Sequence, residues 1–277
     1  MQSKTIIKTD LDLEDLESKY IGKVREVYRL KNNILLMVAT DRLSAFDLVL
    51  PRGIPYKGQI LNKISLWWFK QLRHLVPNHL FWDEEHQTYK MLNDHSVEVQ
   101  KCEPFKIEFV MRSYLTGSTN TSIWKNYEKG VREYCGHHLE DGMVRNQKLP
   151  KVLLTPTTKD ENDRPITPEE IVSGGFMTQE QMDYVFGKAL ELYNFGSEYA
   201  ESKGLLLVDT KYEFGIDMNN NIILIDEVHT CDSSRYWLKD TYETRLLEGV
   251  SPDKFDKHQV RDRVKTQCDP YNCLLYT

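Results

Sequence analysis

The sequence has no apolar run near the roughly 20 residues that a membrane-spanning helix needs, which argues against a membrane protein. It has no basic excess either: Lys and Arg number 36 against 42 Asp and Glu, for a net charge of −6. A general nucleic-acid binder needs a basic surface for its phosphate contacts, so that class is disfavoured, while a local basic pocket for a small phosphate ligand is not. Cysteine is sparse and odd in number, five residues at Cys102, Cys135, Cys231, Cys268 and Cys273 with no CxxC spacing. This argues against a disulfide framework or a structural zinc site and fits a reducing cytosol. The first twenty residues, MQSKTIIKTDLDLEDLESKY, are rich in acids and have no apolar core, unlike a secretory or transit peptide. The expectation is a cytoplasmic chain. There is no internal repeat and no low-complexity tract.

What is present is an ordinary globular composition: 277 residues, 40% hydrophobic and 28% charged, enough for one large domain or two smaller ones. GKVREVYRLKNNILLMVAT (22–40) reads as a hairpin turning at Lys31-Asn32-Asn33. Residues 60–72, ILNKISLWWFKQL, have helical apolar spacing, with Trp67 and Trp68 expected in the core. Strand-like alternation returns in HSVEVQKCEPFKIEFVMRSYL around Pro104. Residues 126–166 are polar and turn-rich, and the adjacent His137 and His138 there read as solvated rather than metal-binding. Two capping boxes follow, Thr167-Pro168-Glu169-Glu170 and Thr178-Gln179-Glu180-Gln181. The second opens a helix with apolar positions Met182, Val185, Phe186, Ala189, Leu190 and Tyr193, ended by Gly204. We expect a mainly β lobe over residues 1–108 and an α+β lobe over 109–277.

The most informative stretch is LLLVDTKYEFG (205–215). An apolar entry gives way to Asp209, Lys211 and Glu213 at every second position, so acid, base and acid share one strand face. MNNN then turns the chain into IILIDEV, which places Glu213 opposite Asp226 or Glu227. Like charges facing each other on a sheet destabilise it. Two readings fit. The face is an outer, solvated one, or it is a metal–phosphate site in which a divalent cation offsets the carboxylates; Mg²⁺ takes one or two carboxylates together with waters and substrate phosphates. Asp232, Ser233, Ser234 and Arg235 follow directly, residue types suited to a phosphorylated ligand.

Three other stretches have the same character. IGKVREVY carries Gly22, Lys23, Val24 and Arg25 at a strand start, either a plain turn or a loop covering nucleotide phosphates. ATDRLSAFD puts Asp41, Arg42, Ser44 and Asp47 after an apolar strand, either a capped turn or a binding loop. EFVMRSYLTGS places Arg112 after an apolar run and ends in Thr116-Gly117-Ser118, either a strand-to-turn transition or an oxyanion contact.

GKVREVY, TDRLSAFD, GIPYKGQILNKIS, EFVMRSYLTGS, LLVDTKYEFG and DEVHTCDSSRYW, in this order over roughly residues 20–240, resemble the phosphoribosylaminoimidazole-succinocarboxamide synthase (SAICAR synthetase) family. The resemblance implies an α+β, SAICAR synthase-like fold: a β-rich N-terminal nucleotide-covering lobe, an α+β, ATP-grasp-like substrate- and metal-binding lobe, and a nucleotide cleft between them. It implies a ligase of de novo purine biosynthesis that joins L-aspartate to the carboxylate of carboxyaminoimidazole ribotide (CAIR), using ATP and Mg²⁺, as a monomer or homodimer without nucleic-acid or membrane partners. By the same resemblance Gly22, Lys23, Val24 and Arg25 would cover the ATP phosphates. Glu213 and Asp226 would hold Mg²⁺ beside the nucleotide. Arg112, Ser118 and Arg235 would hold the ribotide phosphate, and Asp209 and Lys211 would lie near the reacting carboxylate. Asp41, Arg42, Ser44, Asp232 and Ser234 are the candidates for the aspartate site. Competing readings are a small-molecule kinase and a non-catalytic nucleotide-binding module; ADP release that requires both CAIR and aspartate separates the three. The sequence departs from the family at Thr230-Cys231, where Thr-Pro is usual and a looser loop is expected. It departs again at His229, where an apolar residue is usual, and in the tail KTQCDPYNCLLYT, which is unlike the family's closing helix and points to a shortened or frameshifted end.

Overall fold

The computed structural model describes residues 5–45, 48–81, 92, 94–160 and 163–267; Asp47, Cys268 and Cys273 lie outside them. The chain divides into two compact units, one of residues 1–73, 78–102 and 257–277, the other of 74–77 and 103–256.

In the first unit, β1 (Leu16–Ile21), β2 (Arg25–Leu30) and β3 (Ile34–Ala39) follow one another as antiparallel strands. Asn32 and Asn33 make the expected β2–β3 turn with φ of 61° and 59°, the left-handed conformation asparagine tolerates. The two-residue strands β4 (Ser44–Ala45) and β5 (Leu48–Val49) pair locally. Helix α1 (Lys57–Leu72) buries Leu61, Trp68, Phe69 and Leu72, whereas Trp67 is 38% exposed, against the expectation for it. The helix starts at Tyr56 without a side-chain cap of its own. β6 (Ser96–Gln100) completes the sheet in the order β1-β2-β3-β6.

The second unit is built on a larger sheet. β7 (Glu103–Pro104) and β8 (Ile107–Tyr114) flank Phe105, whose N–H donates to Phe214 O. The expected lobe boundary at 108 thus falls inside a strand. Helix α2 (Ile123–Glu128) is capped by Ser122. The stretch expected to be polar and turn-rich holds four strands: β9 (Glu133–Tyr134), β10 (His137–His138), β11 (Lys148–Leu154) and β12 (Thr157–Thr158). The two histidines form a hairpin arm, with His137 Nε2 hydrogen-bonded to Leu154 O and His138 Nδ1 to Glu133. Helices α3 (Pro168–Ser173) and α4 (Gln179–Ser202) start with both capping boxes fully formed. α4 packs on the strand that follows it, burying Met182, Val185, Ala189, Leu192 and Tyr193, while Phe186 faces out. Gly204, at φ +75°, ends it. β13 (Leu205–Ile216) is the sheet's centre, pairing with β7, β8, β14 (Ile222–Ile225) and β15 (Ser234–Leu238); β11 and β12 pair with β8. Helix α5 (Lys239–Leu247) follows, and α6 (His258–Gln267) belongs to the first unit. No helix among the described residues is long and apolar enough to cross a membrane.

Candidate active site

β13 separates its faces as the alternation predicts. Val208, Thr210, Tyr212 and Phe214 are fully buried, beneath α4 and in the core. The charged face is only partly solvated: Asp209 and Glu213 are also buried, at 5% and 7% exposure, while Lys211 and Arg235 are half-buried. Burying charge is costly unless it is paired, and every charge here is. The register makes the pairs. Asp209 stands opposite Arg112 on β8 and opposite Arg235 on β15, so three neighbouring strands present Arg, Asp and Arg in one row. Arg112 Nη1 reaches Asp209 Oδ2 at 2.6 Å, Arg235 Nη1 meets the same oxygen, and Arg112 Nε donates to Thr155 Oγ1 at 2.8 Å.

Two residues along β13, Lys211 Nζ donates to Glu213 Oε1 at 2.6 Å and to Glu108 Oε1 at 2.7 Å, with Asp226 Oδ2 at 3.9 Å. Burial alone would lower the Lys211 pKa, but Glu213, Asp226 and Glu108 outweigh it and hold the amine well above the usual lysine range. In this arrangement Lys211 is a cation held among three carboxylates. Lys159 closes the cluster on Glu213 Oε2.

Glu213 pairs with Ile225 rather than with Asp226 or Glu227. Asp226 leaves the ladder at φ +66°, and this turn brings its carboxylate back toward Lys211. The hairpin tip is tied by Asp217, whose side chain accepts from the backbone N–H groups of Asn219 and Asn221.

The loop after β14 is organised by Thr230. Its hydroxyl donates to Glu227 Oε2 at 2.6 Å and accepts from the N–H groups of Asp232 and Ser233, so the loop is closed without a proline at Cys231. His229 is buried, at φ +52°, and its Nε2 is hydrogen-bonded to the Tyr212 hydroxyl. Burial holds the imidazole at about 3, so it stays neutral. A Cβ on Gly196 of α4 would collide with that ring, so this glycine is what makes room for the His229 imidazole. Gly117, at φ +130°, lies against Ser122 in the same intolerant way and precedes Ser118.

The remaining expected residues are placed differently. Ser234 is paired with Thr210 and bonds its hydroxyl on the buried face, opposite to Asp209 and Arg235. In the first unit Asp41 is buried and accepts from Gly58 N–H at 2.9 Å and Ile6 N–H at 2.8 Å, serving as the cap that α1 lacks. Arg42 is engaged by Gly22 O, Lys23 O, Ile7 O and Glu26. Ser44 lies in β4. Glu108 and Lys159 were not singled out by sequence reasoning. Glu108 shares the period-2 face of Arg112, a signal that was available; Lys159 follows a two-residue strand and has none.

A sheet face that gathers Arg112, Arg235, Lys211 and three carboxylates on adjacent strands suits an enzyme that handles phosphates and carboxylates. Comparison with known proteins gives the family. The SAICAR synthetase family model matches residues 18–275. The chloroplastic phosphoribosylaminoimidazole-succinocarboxamide synthase of Arabidopsis thaliana is 51% identical over 92% of this chain, which spans 60% of that protein's length. The synthase of Legionella pneumophila is 50% identical over 91% of this chain and 78% of its own. A solved structure of the SAICAR synthase of Saccharomyces cerevisiae complexed with SAICAR superposes with a TM-score of 0.80 at 36% identity, covering 95% of this chain and 88% of that one. The chain belongs to the SAICAR synthetase family, the ATP-dependent ligases of this step of purine biosynthesis.

Proposed function

We propose that this chain joins L-aspartate to the carboxylate of CAIR at the expense of ATP, giving SAICAR, ADP and phosphate. The observation that carries the reading is the Arg112–Asp209–Arg235 row beside the Lys211–Glu108–Glu213 cluster on one strand face. Arg112 and Arg235 are the grip for the ribotide phosphate, Ser118 is a further candidate for it, and Asp209 is the anion that holds both guanidinium groups in place. Glu213 and Asp226 are the magnesium carboxylates. Among the described residues no group of three acidic, His or Cys side chains is arranged to hold a metal. A pair of hard carboxylate oxygens nevertheless suits Mg²⁺, whose other positions go to water and phosphate. Magnesium there would neutralise phosphate charge. Gly22, Lys23, Val24 and Arg25 cover the nucleotide phosphates, and the first unit is the nucleotide-covering lobe. The aspartate site retains Ser44 and Asp232. We place the reaction in the cytoplasm, a reading supported by the sparse cysteines without CxxC spacing.

Amide formation from a carboxylate needs a leaving group. A CAIR carboxylate oxygen attacks the γ-phosphorus and ADP departs; the neutral aspartate amine then attacks the acyl carbon, phosphate departs with that oxygen, and the proton lost by the nitrogen leaves on the phosphate as hydrogen phosphate. The arginine row holds the ribotide, and Lys211, held protonated, offsets negative charge as it moves between phosphate and carboxylate. The test is CAIR labelled with heavy oxygen in its carboxylate, incubated with ATP, Mg²⁺ and L-aspartate. Label in phosphate, with ADP as co-product, is expected. Label in AMP, or unlabelled phosphate at full turnover, overturns the activation step.

A further inference from the structure

The residue to account for is Arg42. Its guanidinium makes four hydrogen bonds: Nε to Lys23 O at 3.1 Å, Nη2 to Gly22 O at 2.9 Å, and Nη1 to Ile7 O at 2.6 Å and Glu26 Oε1 at 2.7 Å. Arginine has five N–H donors, so no pair is left for a bidentate grip on a substrate carboxylate. Its counter-ion is built in. Glu26 is fully buried and also accepts from Thr9 N–H at 3.1 Å and Thr9 Oγ1 at 2.6 Å, with Lys19 Nζ at 2.9 Å. Next to Arg42, Thr40 N–H donates to Val24 O at 3.0 Å, and the Thr40 hydroxyl meets the same oxygen. Three consecutive carbonyls, of Gly22, Lys23 and Val24, are therefore taken up by residues 40–42.

A planar trans peptide points its N–H opposite to its C=O, and no cis bond occurs here. With the carbonyls of Gly22 and Lys23 drawn to Arg42, the amides of Lys23 and Val24 are turned to the other side. Successive amides turned one way make a concavity suited to anions. The planar guanidinium is what spans two adjacent carbonyls and a carboxylate at once; an ammonium cannot.

We propose that Arg42 is a positioning residue that shapes residues 22–24 into an anion-binding loop, rather than a ligand of the substrate aspartate. This rests on the reading above that the loop covers ATP phosphates. The experiment compares wild type, Arg42→Lys and Arg42→Ala in two assays: direct calorimetric binding of ATP with Mg²⁺, and steady-state KM for ATP, CAIR and aspartate. A lysine keeps a cation beside Glu26 but loses the fork, so Arg42→Lys is expected to melt close to wild type. Its ATP affinity should fall about tenfold, on the scale of one or two lost positioning hydrogen bonds, with KM for aspartate and CAIR within twofold. Arg42→Ala should show a larger loss, partly restored by added guanidinium. A rise in KM for aspartate with unchanged ATP binding overturns the proposal, as does a folded Arg42→Lys protein with wild-type constants throughout. If wild type binds ATP yet makes no SAICAR, the ligase reading fails while the calorimetric arm still decides the role of Arg42. If wild type binds no ATP, both fall.

Discussion

Glu26 in the first unit and Asp209 in the second are both buried carboxylates met by arginine, and they are held in different ways. Glu26 accepts from two groups of Thr9, from Arg42 and from Lys19, and its arginine spends its other donors on backbone carbonyls. That cluster is closed. Asp209 is met by two arginines at one oxygen, on a sheet face that also carries Lys211, Glu213 and Glu108. That cluster gathers charge rather than consuming it. The same ion-pair chemistry locks a loop in one place and assembles a binding surface in the other. Which it does is decided by how many donors the backbone claims.

The comparison breaks first at the metal carboxylates. Glu213→Gln or Asp226→Asn should lower turnover by about 10²–10³, as loss of a charge-stabilising group does, with the circular dichroism of a folded protein. Near-normal turnover in either folded variant would remove both from the metal role.

Glu26 should show the opposite pattern, a cost in stability. Burial pushes its carboxyl up, but hydrogen bonds from Thr9, Arg42 and Lys19 outweigh this and hold it at about 2. A carboxyl depressed in the folded state stabilises above its unfolded pKa, about 4.5, and loses that contribution as pH falls toward 2. Glu26→Gln should therefore cost on the order of 2–3 kcal/mol at pH 7. The gap from wild type should narrow between pH 4.5 and 2, read by denaturant melts. A gap that does not change with pH would show that the charge of Glu26 is not what stabilises.

The smallest effect sharpens the picture at the arginine row. Arg112→Ala and Arg235→Ala should each weaken CAIR binding by about 1.5–3 kcal/mol, the worth of a charge-assisted contact, and leave ATP binding little changed. Unchanged CAIR affinity by calorimetry in both would move the phosphate grip elsewhere.

Much of this was legible in the sequence because it is periodic. Alternation put Asp209, Lys211 and Glu213 on one face, and the capping boxes marked α3 and α4. The Asn32-Asn33 turn was readable for the same kind of reason, since asparagine accepts positive φ. What escaped was set by tertiary contact. Asp226 missed its expected register because the hairpin is centred on Asn219, which sets Glu213 opposite Ile225. Asp41 and Arg42 looked like ligands, since no local pattern shows that their polar atoms are claimed by Gly58, Ile6 and the carbonyls of residues 22 and 23. Lys159 is brought to Glu213 by the turn after β12, a placement that spacing does not encode. Trp67 and Phe186 sit at the edges of apolar stripes, where helical spacing says little about burial.

The first unit is assembled from both ends of the described chain, since α6 joins strands that precede it by some 150 residues or more. During synthesis those strands leave the ribosome early and α6 joins their unit last, while residues 103–256 emerge as one continuous stretch. The second unit therefore has everything it needs to fold before the first is complete. A chain interrupted near residue 256 would keep every residue of the arginine row and lose only α6 from the described part of the first unit.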